Sequence, residues 1–90
     1  MKSINPARSF AIDGVTINIY YASRGEGLPE HSHAHDHVTA CISGACLVTK
    51  LGAQHTVNAG SVPVRLRAPD PHEIEAIEDG TVFINVLGQM

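Results

Sequence analysis

Four of the six histidines of this 90-residue chain fall within seven consecutive positions, at His31, His33, His35 and His37. Imidazole nitrogens are common ligands of transition metals, and they exchange protons near neutral pH. The cluster therefore indicates metal binding or acid–base chemistry. The surrounding stretch, Gly25 to Gly44, is the most informative part of the sequence.

The spacing of these histidines limits how they can act together. In an extended strand they would share one face, but at about 3.3 Å per residue His31 and His37 would lie roughly 20 Å apart. A metal binds histidine nitrogen at about 2.0–2.1 Å. One ion can therefore serve His31, His33 and His37 only if the chain folds back between His33 and His37. His35 would then lie in the turn, and the sequence leaves open whether it replaces one of the ligands.

The stretch resembles the first conserved motif of the cupins, G-x5-H-x-H-x3/4-E-x6-G. Four residues are in register with it: Gly25, His31, His33 and Gly44. His37 occupies the place that the cupin motif gives to glutamate, and the six residues between His37 and Gly44 keep the motif spacing.

A second segment, GSVPVRLRAPDPHEIEA, resembles the second cupin motif more weakly. Three of its residues correspond to the family's P-A-G-x-P-H: Ala68, Pro71 and His72. Arg67 replaces the usual proline and Pro69 the usual glycine, and the distance from Gly60 to His72 is one residue longer than in the common pattern. Through this segment the resemblance implies that His72 is the last metal ligand.

The resemblance implies an all-β fold, a small double-stranded β-helix or jelly-roll cupin barrel of eight or nine strands. It also implies one divalent metal ion held by His31, His33, His37 and His72. Four neutral imidazoles suit iron, manganese, nickel, zinc or copper rather than calcium or magnesium. Without the glutamate the ion would keep its full positive charge, and two open positions of an octahedral site would accept water, oxygen or substrate.

The function that the resemblance implies is a metalloenzyme, of dioxygenase, isomerase or lyase type, that acts on a small oxygenated metabolite. Two alternatives stay open. The chain could be a non-catalytic cupin that binds or senses a small molecule or metal, or the metal could only stabilise the barrel. An exposed, metal-chelating or pH-sensitive loop is the remaining interpretation of the histidines, and His55, in a polar turn, is expected to be a surface residue.

Composition supports a single globular domain and excludes several other classes. The hydrophobic fraction is 43%, the charged fraction 17% and the aromatic fraction 4%, which is typical of a folded domain with an aliphatic interior. The net charge is −3 and the six Lys and Arg residues are dispersed, so no basic stripe suggests nucleic acid. No segment has the length of a membrane span. We expect a cytoplasmic protein with a tail at residues 1–9 and one domain at residues 10–90.

Cys41 and Cys46 flank the turn signal Ser43-Gly44. Five residues apart around a tight turn, their side chains are expected to point to different faces. We therefore predict buried thiols rather than a disulfide, which agrees with a reducing compartment.

Short strands separated by turn signals fill the rest of the sequence, and no segment has a sustained helical period. This pattern is typical of an all-β sandwich or barrel. Asp13-Gly14 predicts a tight hairpin, and Ser23 to Glu30 is expected to be a loop. The strands are expected at residues 10–12, 15–22, 37–43, 45–51, 55–58, 62–67, 72–77 and 81–87.

Alternation along the predicted strands assigns side chains to faces. In residues 15–22, the apolar positions Val15, Ile17, Ile19 and Tyr21 alternate with more polar ones, so one face is expected to be buried. After His37, Thr39 and Cys41 fall on the histidine face. If that face lines a barrel interior, these two residues would form the substrate pocket; ordinary core packing is the alternative.

Candidates for an acid, a base or an anion-binding group are scattered along the chain: Tyr20, Tyr21, Glu30, Asp36, Arg65 and Arg67. Strand register decides which of them reach a pocket. The resemblance also implies a homodimer formed by sheet packing. Val38, Ala40 and Ile42, on the face opposite the histidines, could contribute to it, or could instead face the second sheet of their own monomer.

Overall fold

The computed structural model describes residues 1–32, 35–68 and 70–88. Over these residues the chain forms ten strands and no helix: β1 Lys2–Ser3, β2 Arg8–Ile12, β3 Val15–Ala22, β4 Glu26–His31, β5 His37–Ser43, β6 Ala45–Lys50, β7 Ala53–Asn58, β8 Val64–Leu66, β9 His72–Ala76 and β10 Thr81–Gly88. The all-β prediction is confirmed. Within the same ranges, no helix has the length and apolar character needed to cross a membrane.

The strands form two five-stranded sheets. The first sheet has the order β1-β4-β9-β6-β7 and the second has the order β2-β3-β10-β5-β8. All pairings are antiparallel except that between β1 and β4. Because β4 belongs to the first sheet and β5 to the second, the segment between them carries the chain from one sheet to the other.

Two turns show why glycine stands where it does. The β2–β3 hairpin turns at Asp13 and Gly14, both of which have positive φ, as the sequence predicts. Gly44, between β5 and β6, has a φ of +73°, and a Cβ there would come within 2.8 Å of the Cα of Thr81. A side chain at residue 44 would therefore meet both backbone strain and a neighbouring strand.

The hydrophobic core lies between the sheets. Phe83, Ile74 and Val48 are fully buried in it, and the ring of Tyr20 stacks on that of Phe83 with centroids 4.7 Å apart. Since these side chains come from both sheets, their burial holds the sheets face to face.

The structure differs from the sequence prediction at two segments near the N-terminus. The predicted loop at Ser23 to Glu30 is wrong, because Glu26–His31 forms β4 and pairs with β9. Part of the predicted tail at residues 1–9 also forms strands, since Lys2 and Ser3 pair with β4 and β2 begins at Arg8. Gly25, Gly27 and Pro29 masked the strand signal, because such residues are more frequent in turns.

The faces of β3 are assigned by its partners in the second sheet. Tyr20 lies beside Phe83, and Asn18 beside Asn85, on the inner face. Ile17 and Ile19 therefore point outwards, although the apolar residues of this strand suggested a buried face. The outer face of this sheet is consequently apolar over much of its area.

The cysteine prediction is correct for oxidation state and wrong for orientation. Cys41 and Cys46 are both free and buried. Their side chains do not point to different faces, because both belong to the core between the sheets, where each thiol influences the pKa of the other. Burial raises the pKa of both thiols, and that of Cys46 to about 12.

Candidate metal and ligand site

Three of the four proposed ligands lie together at one end of the space between the sheets. His31 on β4 and His72 on β9 are directly opposite each other in register. His37, the first residue of β5 in the other sheet, faces His72 across the interior. His37 and His72 are each 2% exposed, and His31 is partly buried. His33, the fourth proposed ligand, lies outside the described residues.

The three rings are in contact. The centroids of His31 and His72 are 4.5 Å apart, those of His37 and His72 are 4.9 Å apart, and both pairs are edge-to-face. Two imidazoles bound to one ion at about 2.1 Å would have centroids about 4.5 Å apart at a right angle and about 5 Å apart at a tetrahedral angle. The observed separations therefore suit ligands of a common ion.

Hydrogen bonds define the tautomers of two of these rings. Nδ1 of His31 lies 2.6 Å from the carbonyl oxygen of Pro29, and Nδ1 of His72 lies 3.0 Å from that of Asp70. A carbonyl oxygen can only accept, so each Nδ1 carries the proton and donates it. The ring lone pair then belongs to Nε2, the nitrogen a metal would bind, and metal-binding histidines usually have such a partner on the other nitrogen.

The described residues alone do not complete a metal site. In residues 1–32, 35–68 and 70–88, no group of three or more His, Cys, Asp or Glu side chains is arranged to hold a metal ion. The proposed four-histidine set includes His33, which belongs to the segment between the described ranges. The imidazoles of His31, His37 and His72 are donors of the kind that transition metals prefer, and two of the three ring pairs have separations that suit a shared ion.

The other two histidines of the described residues, His35 and His55, lie apart from these three. His35 is exposed and lines a cavity with Ala11 and Thr16, near the β2–β3 hairpin. His55 is exposed on β7, as its polar context predicts. Since neither side chain is buried, neither resembles His37 and His72 in environment.

A cavity of about 470 Å³ opens beside His31. Its lining includes Asn18 and Tyr20 from β3 and Asn85 from β10, together with Glu30. Asn18, Tyr20 and Asn85 are polar groups on the inner face of a sheet, where apolar side chains usually lie. The sequence analysis missed Asn18 and Asn85; an asparagine within the apolar run of β10 is the signal that marks this position.

The predicted pocket residues lie behind this cavity rather than in its lining. Thr39 is 1% exposed, and its hydroxyl donates a 2.6 Å hydrogen bond to Oδ1 of Asn85. Cys41 is a core residue, and its thiol donates to the carbonyl oxygen of Ser43 at 3.2 Å. Thr39 therefore supports a residue of the cavity wall, while Cys41 packs in the core.

Among the candidate acid–base groups, Tyr20 is the one buried next to the histidines. It is 6% exposed, and desolvation by burial raises the pKa of its phenol, while a hydrogen bond from Asn85 acts in the opposite direction. Tyr21 is 59% exposed on the outer face. Glu30 lines the cavity but is exposed.

Asp36 connects the segments that carry His37 and His72. It accepts a hydrogen bond from the backbone N–H of Ala68 at 2.8 Å and forms an ion pair with Arg65 at 2.9 Å. The hydrogen bonds from Ala68 and Arg65 lower the pKa of Asp36. The carboxylate therefore helps to fix the turn before β9.

A second cavity, of about 410 Å³, lies on the other side of His72. Its lining includes Lys50, Arg65 and Arg67 with Asp70. Lys50 is directed by a 3.0 Å hydrogen bond from its ammonium group to the carbonyl oxygen of Arg65. The histidines are thus flanked by two cavities of different charge.

Comparison with solved structures identifies the fold. The chain is similar to a conserved protein of unknown function, SPY1581, from Streptococcus pyogenes (TM-score 0.80, 18% identity, covering 98% of this chain and 81% of that one). It is similar to a cupin protein from Bacteroides fragilis (0.72, 22%, 87% and 68%). It is also similar to a double-stranded β-helix protein from Klebsiella pneumoniae (0.75, 19%, 93% and 76%). No model of a known protein family and no curated protein sequence matches the chain.

The chain therefore has the cupin fold, the double-stranded β-helix that the two histidine motifs suggest. The two glycines that begin and end the first motif, Gly25 and Gly44, both have positive φ. They mark the turns before β4 and after β5, so the motif spans the strands that carry His31 and His37.

Proposed function

We propose that this chain is a metal-dependent cupin in which His31, His33, His37 and His72 hold one divalent transition-metal ion. The observation that carries the proposal is the matched arrangement of His31 and His72. The two rings are cross-strand neighbours, and each donates its Nδ1–H to a backbone carbonyl oxygen of its own chain segment. His37 faces His72 from the opposite sheet, so the ring of His72 lies close to the rings of both other histidines.

The proposed activity is that of an enzyme acting on a small oxygenated metabolite. A bound ion would supply a Lewis acid that polarises an oxygen of the substrate. The cavity beside His31 gives a small molecule access to this histidine, and the buried phenol of Tyr20 lies in its wall. A ligand-binding cupin without catalysis is the alternative, since it would use the same cavity.

The metal content of untagged protein tests the site. We expect about one equivalent of iron, manganese, nickel, zinc or copper in the wild type, a large loss in His37→Ala, and retention in the control His55→Ala. Because His37 is buried, His31→Gln provides a second variant that leaves the core packing intact, and circular dichroism confirms folding. Folded wild-type protein that neither contains metal nor takes up added metal would contradict the proposal.

The coordination state of the ion distinguishes the three interpretations. A redox-active ion with exchangeable water, together with turnover of a small oxygenated compound, is the result expected for an enzyme. Exchangeable water with ligand binding but no turnover would identify a binding protein. A closed zinc site without exchangeable water would identify a metal that only stabilises the barrel.

We further propose a homodimer formed through the outer face of the β2-β3-β10-β5-β8 sheet. Four large apolar side chains on this face are substantially exposed: Phe10 (41%), Ile12 (59%), Tyr21 (59%) and Ile42 (55%). Extended apolar patches of this kind are uncommon on monomeric proteins. Val38, Ala40 and Ile42 point to this outer face rather than to the second sheet of their own monomer, because Thr39 and Cys41 point inwards.

The two buried thiols support a reducing compartment for this protein. Cys41 and Cys46 lie side by side and are not oxidised to a disulfide. Free paired cysteines are common in the cytoplasm and uncommon in secreted domains. We therefore propose a cytoplasmic location.

A further inference from the structure

The cavity beside His31 has an unusual polarity in its wall. Two of its lining residues, Asn18 and Asn85, are amides on the inner faces of neighbouring strands. In both residues, the side-chain oxygen already accepts a hydrogen bond from another residue of the protein. Oδ1 of Asn18 accepts from the hydroxyl of Ser9, and Oδ1 of Asn85 accepts from that of Thr39.

An amide whose oxygen is bonded in this way directs its N–H donors elsewhere. Ser9 lies on β2 and Thr39 on β5, on either side of the β3–β10 pair that carries the two asparagines. Hydroxyl groups on the two flanking strands thus fix the orientation of both amides. In each case the amide oxygen points towards the flanking strand.

Tyr20 extends this arrangement. Since Oδ1 of Asn85 faces Thr39, its Nδ2 is the atom left to interact with the neighbouring phenol of Tyr20, and this interaction lowers the pKa of the phenol. A phenolic oxygen that accepts from Asn85 retains its own O–H as a donor. Stacking on Phe83 holds the ring in place, so this donor has a fixed position in the cavity wall.

The lining of this cavity is not basic. Within the described part of the chain, the lining includes the carboxylate-bearing Glu30 and neither lysine nor arginine. A carboxylate or phosphate group of a ligand would therefore meet no side-chain cation here. The three basic side chains near the histidines line the other cavity, beyond His72.

We infer that the cavity beside His31 binds a small uncharged molecule through carbonyl or amide oxygens, and that Tyr20, positioned by Asn85, is the donor that orients it. The inference deepens the proposed function, on which it rests for the claim that this molecule is the substrate. It assigns Tyr20 and Asn18 to recognition and Thr39 to positioning of Asn85.

Binding of three related probes to chelator-treated protein tests the inference. Lactamide is neutral and offers a carbonyl acceptor, lactate is anionic, and 1-amino-2-propanol is cationic and offers donors. Dissociation constants come from NMR titration of the side-chain amide signals of Asn18 and Asn85. We expect lactamide to bind more tightly than either of the other two.

Two variants locate the donors. Tyr20→Phe keeps the stacked ring and removes only the hydroxyl, so lactamide binding should weaken about tenfold. Tyr21→Phe, the neighbouring residue on the outer face, is the matched control and should leave it unchanged. Asn18→Asp exchanges a donor for an acceptor and should reverse the preference between lactamide and 1-amino-2-propanol.

Three results would overturn the inference: tighter binding of lactate than of lactamide, tighter binding of 1-amino-2-propanol by the wild type, or a change of less than twofold in Tyr20→Phe. Thermal unfolding of each variant shows that it is folded. Because these titrations use metal-free protein, they succeed or fail separately from the metal analysis that tests the proposed function.

Discussion

His31 and His72 lie opposite each other on β4 and β9, and each ring donates its Nδ1–H to the carbonyl oxygen two residues earlier in the chain. Two strands that run in opposite directions thus present the same side-chain arrangement to the interior. A backbone carbonyl oxygen therefore favours the Nδ1-protonated tautomer of both rings. Substitutions around the site should therefore leave this feature intact as long as β4 and β9 remain paired.

The first prediction concerns these tautomers. In chelator-treated protein above pH 8, ¹⁵N NMR should show a protonated Nδ1 and an unprotonated Nε2 for both His31 and His72. Added zinc should change the Nε2 signals of these residues and leave those of His55, on the exposed face of β7, unaffected. Protonated Nε2 atoms in the metal-free protein would show that the carbonyl bonds do not control the rings.

The second prediction concerns the close approach of β4 to β9. A Cβ at residue 27 would overlap the carbonyl oxygen of Ile74 and lie 2.9 Å from the Cα of Glu75. Gly27→Ala should therefore lower the free energy of unfolding by about 2 kcal/mol or more, because two backbones must separate. It should also weaken metal binding, since the same strand pair holds His31 beside His72.

Gly88→Ala is the matched control for this substitution. Gly88 is also in a strand, and a Cβ there meets no atom within 4 Å. Its free energy of unfolding should stay within about 0.5 kcal/mol of the wild type. Equal urea midpoints for the two variants would show that β4 can move away from β9 without cost.

The sequence was sufficient to predict the fold class and the proximity of His31 and His37 to His72, while the metal site itself stays a prediction. Motif spacing and alternation are local patterns, and they survive folding because each strand has a fixed period of two residues. The hairpin at Asp13-Gly14 and the inward face of Thr39 followed for the same reason. The grouping of His72 with the others depended on the cupin resemblance, because 35 residues separate it from His37.

Features that depend on neighbouring strands were not predictable in this way. β4 was mistaken for a loop because Gly27 and Pro29 are weak strand formers, and the pairing with β9 that compensates for them is long-range. The contact between Cys41 and Cys46 arises because Gly44 passes the chain from one sheet to the other while both side chains stay inside. The orientations of Asn18 and Asn85 come from hydroxyl groups on adjacent strands.

The third prediction concerns the apolar outer face of the β2-β3-β10-β5-β8 sheet. Light scattering after gel filtration should give the wild type twice the chain mass of 9.6 kDa. Ile42→Glu places a charge in the proposed interface and should give the monomer mass, because burial of an unpaired carboxylate is costly. Leu51→Glu, at an exposed turn that is 72% accessible, is the control and should remain dimeric. A monomeric wild type, or a dimeric Ile42→Glu, would contradict the proposed interface.

The fourth prediction concerns the pH dependence that Cys46 gives to stability. Desolvation by burial, followed by the interaction with Cys41, raises the pKa of its thiol to about 12, against about 8.5 in an unfolded chain. Above pH 8.5 the unfolded chain therefore loses a proton that the folded protein keeps, which favours unfolding. This stabilisation is complete below pH 8.5 and is lost progressively as the pH rises towards 12, by at most about 1.4 kcal/mol per pH unit.

Urea unfolding of the wild type and of Cys46→Ala between pH 7.5 and pH 10 measures this effect. The variant should be less stable at pH 7.5, because it leaves a cavity in the core. Its stability should then fall less steeply with pH than that of the wild type, so the two curves converge. Lysine and tyrosine titrations affect both proteins alike, and the difference between the curves therefore reports the ionisation of the interacting thiols of Cys41 and Cys46. Parallel curves would show that residue 46 ionises as readily in the folded protein as in the unfolded chain, and that the core admits water at this position.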